Sequence, residues 1–325
     1  MARTRYASDP GLIARMGATM FLIGLVFTGF FIALYFVLFA YGNRNGGSGA
    51  GDGLVVIVLL IAGVVAFSGY YWSDKIALNT ARARLVTPQQ APQLHGIIDR
   101  ICALADMPKP RVAISPVSMP NAFATGRSSK VAVVCVTEGL LQRLDDKELE
   151  GVLAHEMSHV AHKDVAVMTI ASFLGIVAAL LVRFAFYSEL FGGGGRGRSN
   201  NSNQNALPIM LIVMLVGVVV YAVSFLLIRL LSRYRELSAD RSGALLTGQP
   251  SALASALVKV TGDIARIPTR DLRQAEPLNA FYFTPALSGR TGQRSLSNIF
   301  STHPSLEKRL AQLDKISKQL GSSAG

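Results

Sequence analysis

Long apolar stretches alternate with charged segments along this chain. The uncharged apolar stretches cover positions 17–41, 53–72, 165–182 and 206–228. Each reaches or approaches the ~20 residues that a helix needs to span a bilayer. The third is the shortest and is followed by Arg183 and Glu189, so a buried helix or a hairpin that enters the bilayer partway is its alternative. The pattern predicts a mainly α-helical integral membrane protein with about four transmembrane helices.

The segment between the second and third stretches has the patterns of a small water-soluble fold. Apolar residues at helical spacing predict a helix over 88–105. Runs at 111–114 and 130–136 are rich in β-branched residues, and 121–136 is a plausible hairpin. A helix follows over 137–144. The next one begins at Asp145 or Asp146, with Glu148 placed for a capping box.

Four parts follow from this pattern: a transmembrane hairpin (1–73), a cytoplasmic segment (74–164), a second transmembrane hairpin (165–231) and a second cytoplasmic segment (232–325). Within the last part, 251–261 and 305–320 are predicted helices, and 267–301 has no assignable pattern. Gly-rich links at 42–53 and 192–205 join the paired spans, the first predicted to be flexible and the second disordered.

The basic residues indicate how the chain lies in the membrane. Its net charge is +12, which raises the question of nucleic-acid binding. Those that flank the apolar stretches are Arg3, Arg5, Arg15, Lys75, Arg82, Arg84, Arg229, Arg233 and Arg235. This positive-inside pattern puts the N-terminus and both polar segments in the cytoplasm, although Arg196 and Arg198 in the outer loop disagree mildly with it. Basic residues do not interleave with aromatic ones, so we predict a lipid bilayer and no nucleic acid as partner.

Two further features concern processing and redox state. The first apolar stretch is too long for a signal peptide and lacks a convincing cleavage site, so we expect it to be retained; a cleaved signal is the alternative. The two cysteines, Cys102 and Cys135, are not spaced as a metal-binding pair. Free buried thiols in a reducing compartment are the simplest interpretation.

The strongest chemical signal is the pattern H-E-x-x-H at 155–159. On a helix, His155 and His159 lie one turn apart on the same face, where both imidazoles can bind one metal ion. Glu156 lies beside that face, where its carboxylate can take a proton from a water molecule that the metal activates. This is the arrangement of zinc-dependent peptide hydrolysis.

A catalytic zinc site needs a third protein ligand, and two residues compete for this role. His162 lies near the same helical face, but one turn further along, where an uninterrupted helix cannot easily bring three such side chains around one ion. Glu236 lies at the end of the fourth stretch, on the same predicted side of the membrane, and Asp240 shares its face. Asp240 suits a carboxylate that accepts the free N–H of a ligand histidine. The alternative is a solvated acidic face paired with neighbouring arginines.

Several motifs in the same order resemble the HtpX-type membrane metalloproteases, relatives of the CAAX prenyl endopeptidases. They are the paired N-terminal spans, 121–126, 155–159, the two following spans, 236–240, His303-Pro304 and Arg309. The resemblance implies a zincin-like catalytic domain with one Zn²⁺, held by His155, His159 and Glu236, and Glu156 as general base. It also implies Asp240 as the partner of a ligand histidine and a bacterial cytoplasmic membrane location with a cytoplasmic active site.

Two other groups of residues are candidates for contact with substrate. Asn121, Ala122 and Phe123 belong to a predicted strand that could pair with an extended peptide, as zinc proteases commonly do; an ordinary hairpin strand is the alternative. His303 could donate to the oxyanion, with Arg309 orienting it or Asp240; a structural role for His303 is the alternative.

The resemblance predicts a zinc metalloendopeptidase with polypeptide substrates, namely misfolded or damaged membrane and membrane-associated proteins, in a stress response. Three other functions are alternatives. A membrane scaffold or chaperone would keep the spans without turnover. An intramembrane protease would place the motif inside an apolar span, whereas charged residues flank it here. Prenyl-protein processing is permitted by the family link.

Overall fold

In the computed structural model, residues 10–45, 50–192, 206–266 and 303–322 are described. The chain divides into two compact units. The polar unit comprises Met1–Met16, Gly69–Val167 and Arg229–Gly325, and the apolar unit comprises Gly17–Ser68 and Met168–Ile228.

Helices dominate the described part of the chain. They are α1 (Pro10–Asn45), α2 (Ala50–Tyr71), α3 (Ser73–Thr80), α4 (Pro92–Ala105), α5 (Glu138–Leu141), α6 (Asp146–Ala161), α7 (Asp164–Gly192), α8 (Ala206–Thr247), α9 (Pro250–Arg266) and α10 (Leu306–Ser322). The four strands are β1 (Arg84–Leu85), β2 (Arg111–Ser115), β3 (Ala122–Thr125) and β4 (Val133–Thr137). The predicted mainly helical fold with a small sheet is confirmed.

The sheet has the order β1-β2-β4-β3, so β3 is an edge strand. β2 and β4 run parallel, while β3 and β4 form an antiparallel hairpin in which Phe123 faces Cys135. The hairpin predicted over 121–136 is therefore confirmed. Strand β1, which pairs with Ile114 and Ala113 of β2, was not predicted, because two residues are too few to show a period.

Several predicted boundaries shift. Helix α4 begins at Pro92 rather than at 88, because 87–91 forms a turn and Pro92 takes the first helical positions. Helix α5 ends at Leu141 rather than at 144. The predicted flexible link 42–53 is wrong at both ends, since α1 continues to Asn45 and α2 begins at Ala50. The predicted disordered loop (192–205) lies outside the described residues except for Gly192, which ends α7, and the unassigned segment (267–301) lies outside them entirely.

The apolar unit contains helices suited to a membrane. Its buried cluster comprises Phe30, Val177, Ala178 and Val220. Among the described residues, two helices are long and apolar enough to cross a bilayer, at Ile13–Phe30 and Met214–Thr247. A third is added only if the bent pair Asp146–Ala161 and Asp164–Leu180 counts as one span. The number of four spans stays a prediction.

The core of the polar unit is built around α6. The helix is buried along nearly its whole length and packs against α4, α9 and strand β3. Gly151 permits the close approach of α9, since a Cβ there would lie 3.3 Å from the backbone of Leu253. A helix covered on several sides holds its side chains rigidly, as a metal site requires.

The two cysteines are free and buried, as predicted. Burial raises the pKa of the Cys102 thiol to about 11 and that of Cys135 to about 12. Neither thiol therefore forms the thiolate needed for metal binding or nucleophilic attack near neutral pH.

The start of α6 is fixed by the predicted capping box. The Asp145 side chain accepts from the backbone N–H of Glu148, and the Glu148 side chain accepts from that of Asp145. Glu148 also accepts hydrogen bonds from Ser255 (2.6 Å) and Lys259 (2.7 Å) of α9. One buried carboxylate thus both caps α6 and joins it to α9.

Replacing Glu148 with Gln should lower the free energy of unfolding by about 1–3 kcal/mol. Burial by itself raises the pKa of Glu148, but Lys259, Ser255 and the Asp145 N–H outweigh it and lower the pKa below its ordinary value. Because the pKa of Glu148 is lower in the folded state, its carboxylate stabilises the folded protein at a pH above the unfolded-state pKa of about 4.3. This stabilisation is lost as the pH falls through the folded-state pKa. The difference from wild type should therefore narrow on acidification. Thermal unfolding across pH measures this, with exposed Glu307→Gln as control; a difference independent of pH would contradict it.

Candidate metal centre

Two histidines and a carboxylate meet within the polar unit. His155 Nε2 lies 3.3 Å from His159 Nε2, and Glu236 oxygens lie 3.6 Å from each of these nitrogens. Among the described residues, these three form the group whose ligand atoms are close enough to hold a metal ion. The structure thus brings together the three ligands that the sequence suggested.

The separations fit a tetrahedral site. Ligand bonds of about 2.0–2.2 Å in tetrahedral geometry place neighbouring ligand atoms about 3.3–3.6 Å apart. Glu236 Oε2 is also buried without a well-directed hydrogen bond among the described residues, as suits an atom whose partner is a cation. The donor set of two imidazoles and a carboxylate leaves a fourth position for water or substrate, which is typical of catalytic zinc.

Two helices deliver these ligands. Helix α6 places the histidines one turn apart, and α8 continues beyond the apolar unit to carry Glu236. The helices approach closely at Gly243, two turns after Glu236. A Cβ at Gly243 would lie 2.9 Å from the His155 backbone nitrogen, closer than real Cβ atoms come. Glycine at this position therefore sets the distance between the two helices.

Replacing Gly243 with a larger residue should lower the activity of the site, because it increases the distance between α6 and α8. Alanine forces α8 away from α6 by a few tenths of an ångström, and leucine by more. Since misplacement by about 1 Å can cost about 10²-fold in rate, Gly243→Leu should lose about 10²-fold in kcat/KM, with Ala intermediate. Metal content and peptide hydrolysis of both variants measure this. Gly262→Ala is the control, because open space surrounds Gly262; equal activity of Gly243→Leu and wild type would refute the role.

Each of the two candidate ligand histidines has a carboxylate on its second nitrogen. His155 Nδ1 lies 2.9 Å from Asp240 Oδ1, and the guanidinium of Arg309 donates to both oxygens of Asp240 at 2.6 and 2.7 Å. Asp240 and Arg309 are both buried. Such a partner fixes the ring with Nε2 turned towards the candidate site and would make that nitrogen a stronger metal donor. Arg309 therefore contacts Asp240, one of the two orienting roles predicted for it.

The corresponding partner of His159 was not predicted from the sequence. His159 Nδ1 contacts Asp164 Oδ2, which also accepts from Arg235 at 2.8 Å. A turn at Lys163, with φ 56°, ends α6 and brings Asp164 back beneath His159. His162 sits at the end of α6, exposed, and is not among the three grouped ligands.

Glu156 lies next to the ligands without joining them. Its Oε2 accepts a hydrogen bond from the Ala124 N–H of β3 at 3.1 Å. Burial raises the pKa of the Glu156 carboxyl above its ordinary value, although the two nearby histidines oppose this. A raised pKa suits a general base, since a base acts best when its pKa is near the working pH.

Strand β3 presents an edge to the site. The Asn121 carbonyl accepts from Thr137 of β4, so 121, 123 and 125 direct their main-chain groups towards β4, while Ala122 and Ala124 direct theirs away. Phe123 packs its ring in a small cluster with Ala77 of α3. Asn121 and Ala122 are buried as well. Any pairing with an extended chain would thus use main-chain groups rather than these side chains.

His303 is placed against a ligand. Its Nδ1 lies 3.1 Å from Glu236 Oε2, and the side chain is buried. The ring therefore lies against the Glu236 carboxylate and is not one of the three grouped residues. The predicted contact of His303 with an oxyanion stays a prediction.

Two residues of this site have a partial signal in the sequence. Asp164 is the first acidic residue after the His159 helix and follows a basic pair, His162-Lys163, that suits a helix end. Gly243 lies seven positions after Glu236 and therefore on the same helical face. Its contact with His155 depends on how the two helices cross, which no local pattern encodes.

Comparisons with known proteins find similarity to one family over most of the chain. The sequence profile of Peptidase family M48 matches residues 88–317. The chain is 56% identical to Protease HtpX homolog 1 of Streptomyces coelicolor, over 98% of this chain and 97% of that protein. It is 48% identical to the Protease HtpX homolog of Moorella thermoacetica, over 98% of each. Among solved structures, it is similar to the crystal structure of S. mikatae Ste24p, with a TM-score of 0.47 and 18% identity over 94% of this chain and 67% of that one.

Proposed function

The chain belongs to peptidase family M48, and from that premise we propose that it is a zinc-dependent endopeptidase of a bacterial cytoplasmic membrane whose active site faces the cytoplasm. The family makes it a membrane metalloprotease, which confirms the resemblance and the enzyme class inferred from the motifs. Its substrates, in this proposal, are misfolded or damaged membrane and membrane-associated proteins.

One observation carries the choice of zinc hydrolysis. The Nε2 atoms of His155 and His159 lie 3.3 Å apart, and each lies 3.6 Å from one oxygen of Glu236, Oε2 and Oε1 respectively. A further carboxylate outside this group, Glu156, follows His155 on the same helix. Three ligands of this kind suit a zinc ion that keeps a position open for reaction, and a separate carboxylate suits proton transfer.

The mechanism divides the work among the residues of the site. When bound, zinc supplies a Lewis acid that acidifies water and polarises the scissile carbonyl. Glu156 accepts the proton of the attacking water and returns it to the leaving amine. Asp240 and Asp164 keep the ligand rings oriented. The outward main-chain groups of β3 that Glu156 does not occupy, at Ala122 and at the Ala124 carbonyl, pair with the substrate backbone and hold it extended beside Glu156.

The proposed orientation rests on charge. Basic residues flank the apolar stretches on the side where α6 and the end of α8 lie, which is the cytoplasmic side by the positive-inside rule.

The side of the membrane on which α6 lies can be tested in membrane vesicles. A cysteine placed at exposed Lys147 should react with an impermeant thiol reagent in inside-out vesicles and not in right-side-out ones. The opposite result would reverse the proposed topology.

Cleavage of an unfolded model protein tests the activity. Detergent-purified protein is stripped with chelator and assayed with and without added zinc. Cleavage that returns when zinc is added supports a zinc-dependent protease. In proteoliposomes, faster cleavage of a heat-damaged membrane protein than of its folded form supports the proposed substrates. Zinc binding without cleavage of any protein would contradict it and favour a scaffold. Cleavage of prenylated peptides alone would favour prenyl-protein processing.

A further inference from the structure

The turn between β3 and β4 is fastened to the end of helix α2. The guanidinium carbon of Arg127 lies 4.3 Å from the centre of the Tyr71 ring, and Arg127 Nη1 donates to the Tyr71 carbonyl at 3.2 Å. In return, the Tyr70 hydroxyl donates to the Arg127 carbonyl at 3.3 Å. Three contacts therefore join one residue of the turn to two residues of the helix end.

The backbone of the turn is shaped to make these contacts. Gly126 has φ 129°, and a Cβ there would lie 2.8 Å from Ala132 Cα, so only glycine fits between β3 and Arg127. At the other end of the turn, Arg111 Nη2 donates to the Val131 carbonyl at 3.1 Å and to Asp74 of α3 at 2.6 Å. The turn is thus held at both ends against the junction of α2 and α3.

These contacts reach the reaction site through β3. Arg127 is two residues from Thr125, the last residue of the strand. Phe123 belongs to the same buried cluster as Ala77 of α3, and the Ala124 N–H donates a hydrogen bond to Glu156. The position of the strand relative to Glu156 therefore depends on where the α2–α3 junction holds the turn.

We propose that Arg127 is a positioning residue: by fastening the β3–β4 turn to Tyr70 and Tyr71, it holds the substrate-pairing edge of β3 in register with Glu156. This inference rests on the proposed function, since it concerns how a peptide is held for cleavage. Arg127 touches neither the metal ligands nor Glu156 and acts through β3.

The location of this anchor specifies the substrate further. Tyr70, Tyr71 and Trp72 end the predicted second span, and Tyr71 and Trp72 are 43% and 48% exposed. Aromatic residues at the end of a span lie at the level of the lipid headgroups. The edge of β3 therefore starts close to the membrane surface, so the segment that pairs with it is an extended stretch next to a transmembrane helix of the substrate.

The first test is steady-state hydrolysis of a soluble quenched peptide by Arg127→Ala. KM should rise about five- to tenfold, as expected for loss of one cation–π contact and one hydrogen bond, while kcat and zinc content stay near wild type. Arg127→Lys should recover part of the KM, because it keeps a cation over the ring. Lys130→Ala, which removes the same charge from the same turn, should have no effect.

A double-mutant cycle separates this contact from a general loss of stability. Tyr71→Leu removes the ring that Arg127 covers, so the combined variant should be no worse than Arg127→Ala alone. Additive effects, or an unchanged KM in an active Arg127→Ala enzyme, would overturn the positioning role. A fall in kcat together with lost zinc would show a structural role instead and also overturn it. Inactive wild-type protein would instead count against the proposed function.

A second measurement addresses the substrate segment. One cleavable sequence is placed about 5 or about 30 residues from the span of a model membrane protein, which is ~17 or ~100 Å when extended. In proteoliposomes, wild type should cleave the near site faster, and Arg127→Ala should lose this preference. Equal cleavage of both sites by wild type would refute the membrane-proximal substrate.

Discussion

Replacing Glu156 with Gln should lower kcat by about 10²–10⁴-fold while the metal stays bound. The carboxylate lies beside the three ligands and is held by the Ala124 N–H, so its loss removes the proton acceptor without removing a ligand. Glutamine keeps the size and one acceptor oxygen, so the hydrogen bond to β3 can remain. Substrate pairing should therefore persist, and KM should change much less than kcat.

Glu150 on the same helix provides the matched control. Its side chain is buried and pairs with the exposed Arg100 at 3.4 Å, away from the ligands. Glu150→Gln makes the same chemical change on α6 and should keep both zinc and turnover. Bound metal is measured by elemental analysis of the purified variants, alongside single-turnover cleavage. Turnover by Glu156→Gln at the level of Glu150→Gln would exclude Glu156 as the base.

The elements with local signals were predicted well. The capping box with Glu148 predicted the start of α6 at Asp145 or Asp146, and Asp145 is its N-cap. The hairpin of β3 and β4 followed from strand-like runs and a turn. The grouping of Glu236 with the histidines was suggested by membrane topology, because both helix ends were expected on one side. These inferences succeeded because caps, periods and charge bias are encoded within a few residues.

The features that the sequence did not predict depend on contacts between segments that are far apart in the sequence. Gly243 is informative only once α8 is seen to cross α6 at His155. The role of Asp164 requires the turn at Lys163, whose positive φ is unusual for a residue other than glycine. Arg127 lies in an ordinary turn sequence, and its contact with Tyr71 joins positions 56 apart in the chain. Tertiary packing, rather than local preference, determines each of these.

The pairing of each ligand histidine with a carboxylate that is itself bound by an arginine has a consequence for affinity. Asp240 is held by Arg309 from α10, and Asp164 by Arg235 from α8. The positive charge of each arginine, buried at Arg309 and partly buried at Arg235, offsets the cost of burying the carboxylate and keeps it charged. Loss of such a partner costs about 10–100-fold in metal affinity. The zinc affinity of an Asp240 variant is therefore the reference with which the loss of a proposed ligand is compared.

Replacing Glu236 with Gln should therefore reduce zinc affinity by more than the about 10–100-fold expected of Asp240→Asn, because it removes a charged ligand atom rather than the partner of one. The comparison with Glu156→Gln is decisive, since both changes convert Glu to Gln at neighbouring positions of one site. Only the change at Glu236 should abolish zinc binding. Competition with a fluorescent zinc chelator measures all three affinities in detergent. Full zinc occupancy in Glu236→Gln would remove Glu236 from the ligand set and require another third ligand. We expect zinc affinity to fall from wild type to Asp240→Asn and further to Glu236→Gln, because Glu236 would contact the metal and Asp240 would act on it only through His155.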